Sequence, residues 1–520
     1  MASSDNTYHS SGLCGPRLED FRALNEEMNF KLSDQVLQEM AEIAEGTTRA
    51  YQRISEIPDP SIPLVKYPRT PGYKPTPEDN PYNAWAWRCD IKGAPTGKLA
   101  GKTVAIKDNI AVAGVPMRNG TKILDGYVPE FDATLVSRIL DAGGRILGKS
   151  GVEDMCLSGS SVTNSDGPVR NPHDETRITG GSSSGSGALV SACQVDLAIG
   201  GDQGGSIRIP ASFTGIVGLK PTWGLVPYTG ASNIEPTVDH LGPMARTVTD
   251  CALLLEVIAG YDDGRDPRQS PGVVIPEYTK LLDQGVSGKK VGLLTEGFEA
   301  CTEEAVKTVV RAAANKLTQA GAIVKETSIP MHKDAGAIWT VTGGQGAYKC
   351  MYESNGTGFF SKGFYPTSLQ EATFRGRTTH PQDMQPIFKF FCLYMSHIDR
   401  MYGNKFYAKG QNLILELTKK YDAALQEFDV LIMPTLPYTA SKIPAKDCSY
   451  KDLHHNAMTM VANTMPYNST GHPALSINAG FSPPDGQGKG KLPIGMMIVG
   501  RKFDEVTVLQ FARAFEKLPA

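Results

Sequence analysis

Apolar positions along the chain change their period twice. From Leu18 to about Glu56 they recur every three to four residues. Leu18, Phe21, Leu24 and Met28 fall on one helical face; after the Ser33-Asp34 cap signal, Val36, Leu37, Met40 and Ile43 make a second. Two amphipathic helices are predicted, each needing a surface for its apolar stripe. Residues 57 to 98 lose the period. Nine prolines lie between Pro58 and Pro95, which predicts an extended, semi-rigid segment, with Trp85 and Trp87 as packing anchors inside it. From Leu99 onward, short apolar runs alternate with helical segments. Thr103–Ile106, Arg145–Leu147, Lys290–Leu294, Ala322–Lys325, Asp429–Met433, Ala474–Ala479 and Ile494–Val499 read as strands. Asp132–Ala142, Val248–Ala259, Thr302–Ala320, stretches within Met384–Glu427, and Glu505–Lys517 read as helices. Alternation of this kind predicts an α/β architecture, a sheet covered by helices. The polar stretch Met1 to Pro16 reads as a disordered tail. The chain thus divides into a tail (1–16), a helical region with a proline-rich linker (17–98) and a catalytic body (99–520). Residues 331 to 383 are Gly-rich and irregular, which predicts loops that either shape a pocket or form an inert surface excursion.

Composition narrows the partners. Net charge is −3, so no general pull toward nucleic acid or anionic membrane is expected. The N-terminus lacks the apolar core of a secretory signal, and no apolar run is long enough to span a membrane. Nine cysteines with no C-x-x-C pair read as reduced thiols of a cytoplasmic protein, without a disulfide framework or zinc site. His454 and His455 are adjacent, a spacing that does not bring both to one ion, and no metal or other cofactor is expected.

The chemistry concentrates in residues 180 to 210. Two small-residue loops, Gly180-Gly181-Ser182-Ser183-Ser184-Gly185-Ser186-Gly187 and Gly201-Asp202-Gln203-Gly204-Gly205-Ser206-Ile207-Arg208-Ile209-Pro210, flank a segment suited to a helix and a short strand. Glycine permits close backbone approach, and serine supplies a hydroxyl that becomes nucleophilic once a base takes its proton. No His-containing motif lies near either loop. Upstream, Lys107 ends the apolar run Val104-Ala105-Ile106; alone it reads as a solvated strand-end lysine, whereas buried and neutral it is a competent base.

Taken together, Lys107 and the two loops resemble the amidase signature family of Ser–Ser–Lys hydrolases. The spacings of 75 residues from Lys107 to Ser182 and 24 from Ser182 to Ser206 fit. The resemblance continues through Gly215-Ile216-Val217-Gly218-Leu219-Lys220-Pro221-Thr222, Thr470-Gly471-His472-Pro473-Ala474-Leu475-Ser476 and Leu492-Pro493-Ile494-Gly495. It implies one large mixed sheet between helical layers, and hydrolysis of a small-molecule carboxylic acid amide to carboxylate and ammonia or amine. It implies Ser206 as nucleophile, Ser182 as proton relay held by a cis Gly181–Ser182 peptide, Lys107 as base, and an oxyanion hole made of the backbone N–H groups of Gln203, Gly204, Gly205 and Ser206. Asp202 and Arg208 are expected to form a structural ion pair or to bond loop backbones, a scaffold role in either case.

Within the family, Gln203 and the long N-terminal helices look most like the broad-specificity amidases of nitrile metabolism, and the helices suggest a homodimer. The amidase component of a glutamine-dependent tRNA amidotransferase, which works with partner chains, is the alternative, and it should present an arginine to the substrate carboxylate. A non-catalytic protein of the same fold would not need Lys107, Ser182 and Ser206 together. Two motif matches carry less. Gly143 to Ser150 fits the P-loop pattern but follows a helix. Gly181-Ser182-Ser183-Ser184-Gly185 fits a nucleophile elbow, with Ser183 as an esterase nucleophile, but follows a polar stretch instead of an apolar strand.

Overall fold

A computed structural model describes residues 13–60, 65–359, 361–483 and 490–519. Most of the expected disordered tail, residues 1 to 12, lies outside the described residues. The chain forms two compact units, residues 1–64 and 65–520. In the first, helices Leu18–Glu27 and Asp34–Glu56 occupy the predicted positions. The Arg22 guanidinium donates to both Asp34 carboxylate oxygens, at 3.0 and 2.8 Å. Ser33 accepts from Val36 N–H and caps the second helix. Leu37 is buried, whereas Leu24, Met28, Val36, Met40 and Ile43 stay exposed.

The second unit is built on a mixed sheet. Its strands are β1 (Trp85–Lys92), β2 (Thr103–Lys107), β3 (Arg145–Ser150), β6 (Leu197–Gly201), β7 (Val217–Lys220), β8 (Leu241–Ala245), β9 (Lys290–Leu294), β10 (Ile323–Thr327), β11 (Val430–Pro434), β12 (Ala474–Ser482) and β13 (Leu492–Val499); β4 (Arg170–Asn171) and β5 (Asp174–Ile178) form a separate hairpin. The eleven strands run β1-β3-β2-β6-β8-β7-β12-β13-β11-β9-β10. β2 is parallel to both β3 and β6, and β8 is antiparallel to β6.

Strand periodicity assigns the faces. Val104, Ile106, Leu197 and Ile199 share a core with Leu135, Ile139 and Leu254, from helices Thr134–Asp141 and Val248–Ile258. Ala105 and Ala198 share a different core with Ala188 and Leu189, from helix Ser184–Ser191, and with Ala211, from helix Arg208–Thr214. Because strand residues alternate in direction, Lys107 falls on the face of Ala105, toward the two small-residue loops. Close approach there depends on glycine: a Cβ on Gly185 would lie 2.2 Å from Ala84 O and 2.4 Å from Gly151 N.

Several elements differ from the sequence reading. β1 lies within the proline-rich stretch and pairs with β3; Trp85 Nε1 bonds Gln194 Oε1 at 2.9 Å and Trp87 Nε1 bonds Pro71 O at 2.8 Å, so both tryptophans pack. β7 and β8 escaped notice because Gly218, Gly242 and Pro243 interrupt them, residues that ordinarily argue against a central strand. Residues 331 to 383 are mostly helical, not loops. Ala335–Trp339 is α-helical, Thr340–Gly344 and Tyr348–Glu353 are π-helical, and Thr367–Thr379 is α-helical. The glycines there serve close packing instead of turns: a Cβ on Gly344 would lie 2.5 Å from Met395 Cε, and one on Gly346 2.4 Å from Glu235 Cγ.

Candidate active site

Lys107 is buried at the end of β2. Its Nζ lies 2.9 Å from Ser182 Oγ and 3.0 Å from Gly201 O. Burial pushes the amine below its ordinary range, since a charge in this interior gives up its hydration. The adjacent carboxylate does not offset this. Asp108 points away, takes Lys149 Nζ at 3.0 Å, and accepts the Arg118 N–H at 3.1 Å. Lys149 and Ser150 belong to β3, which follows helix Thr134–Asp141; the P-loop match is therefore a helix stop and a strand.

The Gly181–Ser182 peptide is cis. Ser182 and Ser183 are both buried, but their hydroxyls have different partners. Ser183 Oγ accepts from Gly201 N–H at 3.1 Å and donates to Gly201 O at 3.2 Å, so it is committed to the backbone of β6. That removes it as an elbow nucleophile. Its own N–H donates to Ser206 O at 3.3 Å, which ties the two loops together.

The second loop is held by its carbonyls. Asn468 Nδ2 donates to Asp202 O at 2.8 Å, Trp339 Nε1 to Gln203 O at 2.8 Å, and Thr464 Oγ1 to Gly204 O at 2.6 Å. Three consecutive carbonyls are thereby turned outward onto the scaffold. Among the described residues, none of the N–H groups of Gln203, Gly204, Gly205 and Ser206 donates to a backbone or side-chain acceptor. Gly205 has φ +145°, and a Cβ there would lie 2.4 Å from Thr464 Oγ1; no other residue fits. Asp202 fixes the base of the loop. It pairs with Arg208 through two bonds of 2.9 Å and accepts the Ile207 N–H at 3.1 Å. Burial alone would raise its pKa, but the Arg208 charge and hydrogen bonds outweigh that and hold it well below the carboxylate range.

The loop forms one wall of a cavity of about 350 Å³ that Gln203, Gly204 and Ser206 line. The opposite walls are apolar and aromatic, with Trp339, Phe390, Phe391, Tyr394 and Met395 prominent. Among the described residues no lysine, arginine, aspartate or glutamate lines it; His454 does. Trp339 belongs to the Gly-rich segment, which therefore contributes to the pocket. Trp339, Thr464, Asn468 and the aromatic residues on helix Pro386–Tyr402 were not singled out from sequence. The dense aromatic run of that helix was the available signal for its part in the cavity. No pattern in the chain marks Thr464 or Asn468 as partners of a loop some 260 residues away. Among the described residues, no group of three or more His, Cys, Asp or Glu is placed to hold a metal ion, and no helix is long and apolar enough to cross a membrane.

Comparison with known proteins identifies the family. The family model "Amidase" matches residues 76–509. An enantioselective amidase of Rhodococcus rhodochrous is 43% identical over 97% of this chain and 96% of its own. A solved structure from Thermotoga maritima, of the A component of its glutamyl-tRNA(Gln) amidotransferase, superposes with a TM-score of 0.67 at 31% identity, covering 84% of this chain and 88% of that one. The peptide amidase of Stenotrophomonas maltophilia gives a TM-score of 0.65 at 28% identity over 81% and 83% of the two chains. The chain belongs to the amidase signature family of amidohydrolases.

Proposed function

We propose that this amidohydrolase cleaves the carboxamide of a small apolar, aromatic-bearing acid through a Ser206 acyl-enzyme. Ser206 attacks the amide carbonyl while Ser182 passes its proton to Lys107. The relay returns a proton to the departing ammonia or amine, and water then releases the carboxylate by the same steps reversed. The N–H groups of Gln203 through Ser206 receive the oxyanion. The observation that carries the reading is the buried Lys107 amine 2.9 Å from Ser182 Oγ, together with the cavity-lining Ser206 and four N–H groups that have no protein acceptor among the described residues. Each oxyanion donor is typically worth about 10²–10³ in rate.

The apolar walls favour this substrate class over glutamine. A bound amino acid would bury an ammonium and a carboxylate among Trp339, Phe390 and Tyr394 with no charged side chain on the wall to pair them, which is unfavourable. The test is turnover by the purified chain alone. It should release ammonia from benzamide with kcat/KM at least about a hundredfold above that for glutamine, as a mismatch of buried polar groups commands. A preference for glutamine would favour the amidotransferase reading. Lys107→Arg, which keeps the charge but cannot deprotonate, should be nearly as inactive as Lys107→Ala.

The exposed stripes of the two N-terminal helices support a homodimer formed through them, since apolar faces of that extent find partners. Light scattering should give twice the chain mass, and deletion of residues 1–56 should lower it. The reduced state of the nine cysteines is compatible with a cytoplasmic location, and the near-neutral charge with the absence of nucleic-acid or membrane partners.

A further inference from the structure

Two of the groups that hold the second loop are tied to each other through one imidazole. Gln203 O is held by Trp339, the last residue of helix Ala335–Trp339, and Gly204 O by Thr464, in the turn before helix Met465–Thr470. His332 sits in the 3-10 turn Pro330–Asp334, which runs straight into the first of these arms. Its Nε2 lies 3.1 Å from Oδ1 of Asn463, the residue immediately before Thr464 in the second. His332, Asn463 and Thr464 are all buried.

The proton positions follow from the partners. Asn463 Nδ2 donates at 2.8 Å to both Gly297 O and Pro434 O, which uses both of its hydrogens and turns Oδ1 to the imidazole. An amide oxygen only accepts, so His332 carries a proton on Nε2 and donates it. Burial holds the imidazole below its ordinary range, and a neutral ring leaves Nδ1 as an acceptor. The Tyr421 hydroxyl fills that role, donating to Nδ1 at 2.6 Å. Each donor along Tyr421, His332 and Asn463 thus has its acceptor. Breaking a bond here strands a polar atom away from water, so the arrangement is stiff.

We propose that His332 is a positioning residue, which locks the Trp339 and Thr464 arms together and so fixes the aim of the N–H groups that receive the oxyanion. This rests on the loop from Gln203 to Ser206 being the oxyanion hole. A peptide unit is planar, so the direction of a carbonyl sets that of the next residue's N–H. Gln203 O therefore aims the Gly204 N–H, and Gly204 O aims the Gly205 N–H. With the arms locked, both planes are held against one frame. If one arm slides past the other, the two planes turn independently, and donors stabilise an oxyanion only when they are already aimed where it forms. His332 is not on the cavity wall; it acts through Asn463 on one side and through the chain leading to Trp339 on the other.

The experiment compares wild type with His332→Asn, His332→Gln and Thr464→Val, with folding checked by circular dichroism. It reads kcat and KM for benzamide and the inhibition constant of phenylboronic acid, whose tetrahedral adduct with Ser206 places an oxygen where the oxyanion forms. Glutamine's amide nitrogen reaches the position of Nε2, whereas asparagine is one carbon too short. His332→Asn should lower kcat about tenfold and weaken phenylboronic acid about tenfold, with KM held within about twofold. His332→Gln should stay within about threefold of wild type in both. A lower melting temperature in His332→Asn with an unchanged phenylboronic acid constant would mean a scaffold role alone and overturn the proposal, as would equal losses in the two His332 variants. If Thr464→Val weakens phenylboronic acid but His332→Asn does not, the inference about His332 fails alone. If Thr464→Val also leaves it unchanged, the oxyanion-loop reading fails, and this inference with it. Should His332→Asn not fold, Asn463→Ala breaks the same bond from its other side and carries the same expectation.

Discussion

Replacing Lys107 with methionine should destroy activity and stabilise the protein. The folded state holds the amine below its ordinary range by burial, whereas the unfolded chain lets it titrate near 10.5. Taking the proton from an ordinary lysine at pH 7 costs about 5 kcal/mol, at 1.36 kcal/mol per pH unit. Folding bears that cost if Lys107 is neutral. Methionine has similar bulk and no charge to lose. Against the gain, Ser182 Oγ loses its partner, a loss of about 1–3 kcal/mol; Gly201 O keeps the Ser183 hydroxyl. The net stabilisation at pH 7 should be on the order of 2 kcal/mol or more. The pH dependence carries the sign. Between the lowered folded value and 10.5, the unfolded chain binds one more proton than the folded one. Wild-type stability therefore rises with pH across that window, by up to about 1.4 kcal/mol per unit. The variant lacks this term, so its advantage should shrink from pH 7 to pH 9. Urea unfolding at pH 7, 8 and 9 measures it. Parallel stability curves, or a variant less stable at pH 7, would mean that Lys107 keeps its proton in the fold, and the base assignment would fall.

Ser206→Ala should lower kcat by at least about a thousandfold while leaving the melting temperature within a degree or two, because loss of a nucleophile ordinarily costs far more than that in rate; a serine-directed fluorophosphonate should label Ser206 and spare Ser183. Thr464→Val and Trp339→Phe each free one carbonyl of the proposed oxyanion loop, and each should lower kcat about five- to thirtyfold with a smaller change in KM, as expected for a displaced donor worth about 1–2 kcal/mol; equal losses in kcat and stability would assign these bonds to the scaffold alone. Prolonged dialysis against EDTA should leave ammonia release within about twofold of the untreated enzyme, and inhibition reversed by added zinc would refute the metal-free relay.

How much of this was legible in sequence depends on distance along the chain. Strand β2 with Lys107 and the two serine loops are local patterns: an apolar run ending in lysine, and small residues in blocks. Together they resemble the amidase signature family, and that resemblance implied the proposed relay. The Asp202–Arg208 pair spans six residues and was also readable. The helical period from Leu18 to about Glu56 was readable, as were helices within Met384–Glu427, though not the bounds Lys405–Glu427 of the long one there. What stayed hidden is what distant segments supply. The carbonyls of Asp202, Gln203 and Gly204 are held by Asn468, Trp339 and Thr464, each a single polar atom on an otherwise unremarkable helix or turn. The Gly-rich 331–383 segment read as loops because glycine ordinarily weakens helices; packing against Met395 and Glu235 overrode that propensity. β8 went unassigned because Gly242 and Pro243 are poor strand residues, although it pairs along its length with β6 and through Met244 and Ala245 with β7.

Three buried lysines show how burial alone does not make a base. Lys149 is as deeply buried as Lys107 but has the Asp108 carboxylate at 3.0 Å. Lys220 is pushed well below its ordinary range by burial and by the Arg208 charge, yet among the described residues its Nζ bonds only a neighbouring carbonyl, Pro221 O, at 2.9 Å, and Lys220 is not on the cavity wall. Lys107 alone combines the two requirements, a missing counter-ion and a hydroxyl within reach. The strand supplies both. Alternation along β2 sends Asp108 to Lys149 and Lys107 to Ser182, so one residue's step in register separates a structural ion pair from a candidate catalytic relay.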